Sequence, residues 1–554
     1  MRLQQPVYRA RLAATAATLV LISATTSLPA FGQTGQLRLI GAIQSAAADT
    51  TAQQSMETVR RLSIDEATTL ALEQNLGIRI QRMDPQIQDV GVALARSSWA
   101  PSLTTSISRT SQTQQATSAL SGGATSIDNG AFATAVGISQ TMRWGGNYTA
   151  NWNSARASTT NLFSSFSPQL NSTLNVSVTQ PLLRNYSIDQ IRQQVANSRK
   201  ARDLSDIQLQ SVVTQTMRNV KNAYWDLSYA INNLKAQQES LALSEQSLKD
   251  NRKRVEIGTM APIDIVQAQA EVASNEERVI VAEAAIKQAQ DVLRSLILDP
   301  GTPDFWTVAF DPTDVASFNE QAIDLDAAVK TAIDRRSDLR QAKNGLEQSD
   351  VNIRYLKNQI LPDVNAQFNY ATTAAGGVQL SPVNLASLGS APERTVVAAH
   401  GFGSVLGDVF QGTYPNWTLA VQIGYPLGTN AAHANLARAK LQFEQSQSQL
   451  KNLELQVATQ VRAAARNVQT NQKRVHSARA SRELQEKKLD AEQKKLAAGM
   501  SSSFFVFQAQ RDLALARTAE IQAISDYNKS LVDFEAVQEV PLNGGSAPIT
   551  VAGR

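Results

Sequence analysis

The stretch Ile64-Asp65-Glu66-Ala67, followed by a helical pattern that ends at Trp99-Ala100-Pro101-Ser102-Leu103, occurs twice in this chain of 554 residues. The second copy begins at Leu325-Asp326-Ala327-Ala328 and ends at Ile360-Leu361-Pro362-Asp363-Val364, 261 residues later and without a gap. Fixed-order self-similarity decides the architecture, because each copy is a structural unit that packs against the next. The sequence therefore predicts one tandem repeat with internal two-fold organisation.

A second pair of motifs extends the repeat. Gly258 lies nine residues before Gln267-Ala268-Gln269, and Gly499 lies nine residues before Gln508-Ala509-Gln510. Each copy thus has the same plan: a helix, a proline, a variable polar stretch, a long helix, a glycine tip and a return helix. We expect long helices over about 188–257 and 430–498, and return helices over about 262–298 and 501–538, by helical periodicity.

The first long helix has an apolar residue at every seventh position, which is typical of a coiled coil. These residues are Val213, Val220, Leu227, Leu234, Leu241, Leu248 and Val255, with Met217, Tyr224 and Ile231 at the complementary positions. At 1.5 Å per residue each long helix spans roughly 105 Å, so the helices must pack lengthwise as a rod. Pro300, Pro303 and Pro312 interrupt helix formation and predict a loop-rich belt halfway along it.

The segments between the proline and the long helix alternate with a period of two, as in the run from Leu174 to Thr179. We expect strands near 102–112, 171–181, 363–372 and 416–426, with room for a further hairpin over 132–142 and 147–156. Strands of about ten residues with one apolar face are typical of transmembrane strands, although a soluble sheet with one wet face gives the same pattern. Four to six strands cannot close a conducting barrel, and open edges are not tolerated in lipid, so several chains must share one.

Composition sets further bounds. Residues 1–32 have a basic, apolar and small-residue order typical of a secretory signal, the alternative being a short amphipathic or disordered tail. The net charge is +4 with three arginines in that leader, which gives no support for nucleic-acid binding. Cysteine is absent, which excludes disulfides and thiolate metal sites. No other apolar run is long enough for a transmembrane helix.

The predicted division of the chain follows from the repeat. Residues 1–32 are the signal peptide and 33–60 a linker. Residues 61–300 are the first repeat, with a β segment at 102–182 and a tip at 258–262. Residues 301–322 are an equatorial linker. Residues 323–540 are the second repeat, with a β segment at 363–427 and a tip at 499–503. Residues 541–554 are a flexible C-terminal tail.

This plan resembles the TolC family of outer-membrane efflux and secretion channels over roughly residues 60–540. The motifs that carry the resemblance, in this order, are Leu62-Ser63-Ile64-Asp65-Glu66-Ala67, Ala100-Pro101-Ser102-Leu103, Gln180-Pro181-Leu182-Leu183, Gly258 with Asp264 and Gln267-Ala268-Gln269, Gly424-Tyr425-Pro426-Leu427, and Gly499 with Gln508-Ala509-Gln510. The resemblance implies an α+β membrane protein: a trimeric, shared transmembrane β-barrel continued by a long periplasmic α-helical barrel.

The same resemblance implies the function and the partners. The chain would be the passive outer-membrane channel of a tripartite efflux or type I secretion system, a homotrimer in contact with outer-membrane lipid. A periplasmic adaptor protein would link it to an inner-membrane pump. No cofactor is implied and no bond is made or broken. A soluble periplasmic coiled-coil scaffold or adaptor is the alternative, and an envelope enzyme has no support, since His400, His433 and His476 lack metal-ligand neighbours.

The two hairpin tips are the first candidate site. Each tip combines a helix-ending glycine with a residue that starts the next helix, which a plain turn between antiparallel helices would also need. On the family resemblance we expect them to dock the adaptor. The residues are Gly258, Thr259, Met260 and Pro262 in the first tip and Gly499, Met500 and Ser501 in the second.

A periplasmic gate is the second candidate site. Several members of the family have carboxylates six and nine residues past the second tip glycine, where this chain has Phe505 and Gln508, while Asp264 stands six past the first. A ring of phenylalanines would close an opening by packing and dewetting. We therefore expect Phe504, Phe505 or Phe507 to form an apolar constriction, unless these rings are buried between helices. Aromatic residues near strand ends are expected at lipid headgroups, unless they pack in a soluble core: Trp144, Tyr148, Trp152, Tyr414 and Trp417.

Overall fold

The computed structural model describes residues 58–540, apart from 118–124, 304, 315, 384–393 and 429. The predicted signal peptide, most of the predicted linker and the predicted C-terminal tail lie outside the described residues. Within the described ranges, no helix combines the length and the apolar character needed to cross a membrane.

The first repeat consists of helices that flank a block of strands. Its elements are β1 (Thr58–Leu62), α1 (Ile64–Gln74), α2 (Leu76–Gln81), α3 (Met83–Ser97), β2 (Ser102–Gln115), β3 (Ser126–Thr141), β4 (Asn147–Thr159), β5 (Phe166–Pro181), α4 (Gln190–Glu256), α5 (Ile263–Ile297) and β6 (Val308–Pro312).

The second repeat follows the same plan with a different β segment. Its elements are α6 (Leu325–Arg335), α7 (Ser337–Gln359), β7 (Asp363–Leu380), β8 (Val396–His400), α8 (Phe402–Gln411), β9 (Pro415–Gly424), α9 (Ala431–Ala497) and α10 (Ser503–Val537). The long helices α4 and α9 both have 67 residues, and the return helices α5 and α10 both have 35. The helices expected from the apolar periodicity are therefore confirmed.

The opening helices are broken, and the single continuous helix predicted for each copy is wrong. Asn75 (φ −60°, ψ 122°) and Arg336 (φ −56°, ψ 129°), which are 261 residues apart, both have a non-helical backbone between two helices. The side chain of Asn75 accepts a hydrogen bond from the Ile78 amide and donates one to the Leu296 carbonyl, at 3.0 and 2.9 Å. These bonds replace the helical ones at the break, since an asparagine side chain competes with the backbone for hydrogen bonds.

The helices form one layer that is open on both sides. The long helix α4 is flanked by α1–α3 over the half next to the sheet and by α5 over the other half. In the same way, α9 is flanked first by α7 and α6 and then by α10. The two groups join where α4 packs on α7 and α10. The order across the layer is α3-α4-α7-α9 next to the sheet and α5-α4-α10-α9 in the other half. Helix α9 thus forms one edge throughout, and α3 followed by α5 forms the other.

A small belt lies at mid-length, where β1 pairs in parallel with β6 from Thr58↔Val308 to Leu62↔Pro312. Residues 58–60 therefore belong to a strand and not to the predicted linker, and the predicted equatorial linker contains β6. The belt covers the largest hydrophobic cluster, in which Tyr224, Leu293 and Phe310 are buried.

Tyr224 holds the belt to the long helix. Its hydroxyl donates to the Leu62 carbonyl at 3.0 Å, and it lies 2.9 Å from the Asp314 carboxylate and 3.1 Å from the Asp314 amide. Burial raises the pKa of Tyr224 from its ordinary value near 10 to about 12. A buried hydroxyl that is held neutral in this way ties three separate segments together.

The strands of the two β segments form one sheet with six positions. The order is β2-β3-β4-β5-β7, and the free edge of β7 pairs with β9 over Asp363–Thr372 and with the short β8 over Gly377–Leu380. The further hairpin of the first repeat is confirmed as β3 and β4. The segment between the two strands predicted for the second repeat contains two further elements, β8 and α8, which the period-two pattern did not indicate. Within the described residues, β2 and β9 each have a partner on one side only.

The two faces of the sheet differ in chemistry. One face carries mainly Ser, Thr, Asn, Gln, Ala and Gly, and the one charged residue that the described strands place on it, Asp363, is paired with Arg184 at the helical end. The other face, which we call the apolar face, includes Ile138, Trp152, Val176, Phe368 and Leu419. Helix α8 lies on the apolar face at the end far from the helices, where Val405 and Val409 pack on Leu170, Leu174 and Ala374.

Candidate functional site

The first tip is a tight turn built on the left-handed conformation of Gly258 (φ +75°). The Thr259 amide donates to the Arg254 carbonyl at 2.8 Å and the Gly258 amide to the Val255 carbonyl at 3.0 Å. This pair of bonds is the Schellman ending of a helix, and the left-handed glycine gives it without strain. Pro262 then precedes α5, and Thr259 and Pro262 are exposed, with Met260 partly so.

The second tip repeats the turn. Gly499 has the same φ of +75°, and the Met500 amide donates to the Lys495 carbonyl at 2.9 Å. Met500 is 75% exposed. The tip residues predicted from the sequence therefore lie in two equivalent turns. This geometry is compatible both with plain turns between helices and with docking surfaces.

The second tip is further braced by Glu492. Its carboxylate accepts from Lys495 at 2.7 Å and from the Ser501 hydroxyl at 2.9 Å. The Lys495 hydrogen bond first, and the Ser501 bond second, lower the pKa of Glu492 below its ordinary value. Ser501 is therefore partly engaged within its own hairpin, which leaves Met500 as the open side chain of the turn.

The two hairpins of one chain touch near their tips. The Ser503 hydroxyl donates to Asp264 at 2.6 Å, and Ser503 is buried. Deeper in the same interface, Gln510 donates to the Ser247 hydroxyl at 2.9 Å. Asp264 is therefore hydrogen-bonded to the other hairpin of its own chain.

The predicted gate residues separate into two groups. Phe504 and Phe505 are exposed, Phe505 by 53%, and their rings meet edge to face at 5.6 Å; Gln508 is exposed on the same helix. Phe507 is only 5% exposed. Of the two alternatives given for these rings, burial between helices therefore holds for Phe507, whereas Phe504 and Phe505 are turned out of the helix packing and stay candidates for the gate.

Sequence reasoning did not find Ser503, Glu492 or Ser247. Ser503 directly follows the helix-capping Ser502, so its local pattern indicates a helix start and nothing more. Its contact with Asp264 joins residues 239 positions apart, and it depends on how the two hairpins lie side by side. A neighbouring hairpin leaves no local signal in either sequence.

The aromatic residues near the strand ends are placed in two ways. Trp144, Tyr414 and Trp417 are largely exposed. Trp152 donates to the Ser172 hydroxyl at 2.9 Å and Tyr148 to the Gln140 side chain at 3.0 Å, both on the apolar face of the sheet. Exposed aromatic rings with one polar group are typical of a membrane interface.

In the parts of the chain that the structure describes, no group of three or more His, Asp or Glu side chains is arranged to hold a metal ion. His476 instead pairs with Glu320 at 2.5 Å and meets the Phe318 ring at 5.1 Å, in a contact that holds the segment before α6 against α9.

Solved structures share this fold. The outer-membrane channel OprN superposes with a TM-score of 0.59 at 16% identity, covering 87% of this chain and 90% of that one. The open-state MtrE outer membrane channel of Neisseria gonorrhoeae gives 0.57 at 17%, covering 86% and 88%. The CmeC outer membrane channel of Campylobacter jejuni gives 0.57 at 14%, covering 86% and 85%. A comparison with curated proteins gives no match.

The family is settled by sequence. The profile described as outer membrane efflux protein matches residues 145–297 and 328–537, which is more than half of the chain and includes both glycine tips. This match confirms the resemblance drawn from the repeated motifs. The chain therefore belongs to the outer membrane efflux protein family, and its function is that of a non-enzymatic efflux channel component.

Proposed function

We propose that three copies of this chain join edge to edge into one conduit, with a shared β-barrel in the outer membrane and a helical barrel in the periplasm. The conduit is a passive exit for substrates. An inner-membrane pump would supply them through a periplasmic adaptor that docks on the hairpin tips.

The observation that supports the proposal is that the sheet and the helical layer both have unpartnered edges, and that these edges lie on the same two sides of the chain. The sheet ends at β2 and β9, and the helical layer ends at α3 and α9, which are the chain neighbours of those strands. An unpaired strand edge is a template for another chain. Because the two open edges differ, copies would join head to tail, and such an arrangement closes into a ring when the rotation between successive copies is an exact fraction of a full turn.

The open helical edge is apolar. Six side chains at alternating spacings of four and three residues point out of the α2–α3 edge, and each is at least half exposed: Leu76, Ile80, Met83, Ile87, Val90 and Leu94. This spacing is a coiled-coil seam without a partner in its own chain. The opposite edge offers Leu441 and Leu455 of α9, which are equally exposed. The neighbour in the ring would cover both sets.

The sheet supports a membrane position for this ring. Six strand positions in each of three copies give eighteen, and a barrel of that size leaves an aqueous channel. The neutral polar face would line the channel and the apolar face would meet lipid. A soluble scaffold would instead need a second layer over the apolar face, and α8 covers only one end of it.

At the other end we propose that Phe504 and Phe505 narrow the opening and that the Ser503–Asp264 bond holds the two hairpins of each chain together. The support is that both rings are exposed and that the bond joins the hairpins next to the tips. Contact of Met260 and Met500 with an adaptor rests on their position at the turns and on the family.

The test is to extract the mature protein from membranes, measure the mass of the detergent-solubilised particle and record its conductance in a planar bilayer. The proposal expects a three-chain particle that needs detergent and conducts. A single chain that dissolves without detergent and gives no conductance would favour the scaffold.

A further inference from the structure

We infer that the apolar face of the sheet carries a binding site for the phosphates of an outer-leaflet glycolipid, formed by Arg109 and Arg156 with Phe132 between them. The inference rests on the proposed function, because it takes the apolar face as the one in contact with lipid.

Strand register places the three side chains in one row. Arg109 of β2 is opposite Phe132 of β3, and Phe132 is opposite Arg156 of β4. Directly opposed residues share a face, and adjacent strands are about 4.8 Å apart, so the two arginines are separated by about 10 Å. All three side chains are exposed. Neither guanidinium has a hydrogen bond or an ion pair with a described residue.

The row marks the boundary at which the apolar band ends. On the helical side of it, the same face of these strands carries Leu103, Ile107, Val136, Ile138 and Trp152. On the far side it carries serine, threonine, glutamine, glycine and Asp128. At about 3.3 Å per residue and a tilt of about 40°, the arginines lie roughly 16 to 24 Å above the starts of their strands, near the top of a band about 25 Å tall.

The charge at this boundary is one-sided. Across the apolar face of the described strands, the charged residues are Arg109, Arg156 and Asp128. Asp128 accepts a hydrogen bond from Thr113 at 2.6 Å, and it lies four residues along β3 from Phe132, about 13 Å away. Two unpaired arginines beside lipid are costly unless an anion meets them.

Phosphate is the anion that fits best. The planar guanidinium binds phosphate through two parallel hydrogen bonds, and lipid phosphates lie at the level where acyl chains end. The exposed Phe132 ring between the arginines would pack on the uppermost acyl carbons. A glycolipid headgroup with two phosphates matches both the spacing and the outer leaflet, whereas a soluble anion would gain nothing from the ring or from the depth.

The experiment uses the purified mature protein in detergent and native mass spectrometry with two probes, a bisphosphorylated lipid A and its dephosphorylated form. We compare wild type, the double variant R109Q/R156Q and the control R252Q. Arg252 is likewise exposed and lies on α4, far from the sheet.

We expect the wild type and R252Q to bind the phosphorylated lipid more tightly than the dephosphorylated one. The double variant should lose about tenfold in affinity for each arginine, since the loss of one hydrogen bond to a charged group weakens binding by about that factor. Its trimer mass and conductance should not change. A phosphate preference that survives in the double variant would overturn the inference. So would equal wild-type affinity for both lipids, or full displacement by millimolar inorganic phosphate. Failure of the proposed function is distinct, because the wild type would then form no conducting trimer.

Discussion

Replacing Leu94 by alanine should weaken the trimer without weakening the folded chain. Leu94 is 71% exposed on α3, so within one chain it makes few contacts that alanine would lose. In the ring it would be covered by the neighbouring α9. The change removes about three carbons, each of which contributes about 0.8 kcal/mol when fully buried. Because only the 71% of the side chain that is exposed in one chain would become buried in the ring, the expected loss is about 1.7 kcal/mol for each interface.

A closed trimer has three identical interfaces, so the loss is about 5 kcal/mol for the ring. At about 1.4 kcal/mol for each factor of ten, the trimer dissociation constant should rise by about three to four orders of magnitude. Analytical ultracentrifugation in detergent, over a range of protein concentrations, measures it directly. The matched control is Leu515→Ala: Leu515 is 65% exposed but lies on α10, inside the helical layer and away from both edges. Equal dissociation of the two variants would refute the edge assignment.

Three further outcomes follow from the belt and the tips. Tyr224→Phe removes the hydroxyl that contacts the carbonyl of the buried Leu62 and the partly buried Asp314 carboxylate, and it should lower the free energy of unfolding by about 1–3 kcal/mol in chemical denaturation. Folding raises the Tyr224 pKa from near 10 to about 12, so in the wild type this contribution to stability should be complete below pH 10 and lost as pH rises through 12. The Tyr224→Phe variant should not show this loss, and a variant whose stability depends on pH as the wild type's does would contradict the assignment. Ser503→Ala should let the two hairpins of one chain separate more readily, seen as a broader distance distribution between spin labels placed at Met260 and Met500; an identical distribution would remove the Asp264 bond from the account. Phe505→Ala should raise closed-state conductance in bilayer recordings, and an unchanged value would remove Phe505 from the gate.

The repeat made much of the helical fold predictable. Helix ends at Gly258 and Gly499 could be placed because a glycine after a long apolar period indicates a left-handed ending. The seven-residue spacing predicted the burial of Val220 and Leu227, which are fully covered. Both signals act within one turn or a few turns of helix, so the local sequence contains them.

Features that depend on distant partners could not be predicted. Strand β1 is five residues long, and it forms because β6 lies beside it across the belt. Helix α8 rests on the sheet because Gly376 leaves room: a Cβ there would lie 2.5 Å from the Val405 side chain. The Ser503–Asp264 bond likewise needs two hairpins in register. None of these contacts has a periodicity of its own.

A barrel shared by three chains requires that β2 of one copy pairs with β9 of the next. The natural chain has no cysteine, so a pair of introduced cysteines reports one contact only. Aligning the helical ends of the two antiparallel strands places Thr105 near Val421, and a short series of pairs around these positions brackets the register. We predict that oxidation of the double-cysteine protein in membranes gives covalent dimers and a final product of three chains, with neither single variant cross-linked beyond a dimer. A cross-link confined to one chain, or a ladder that continues past three, would contradict the shared barrel.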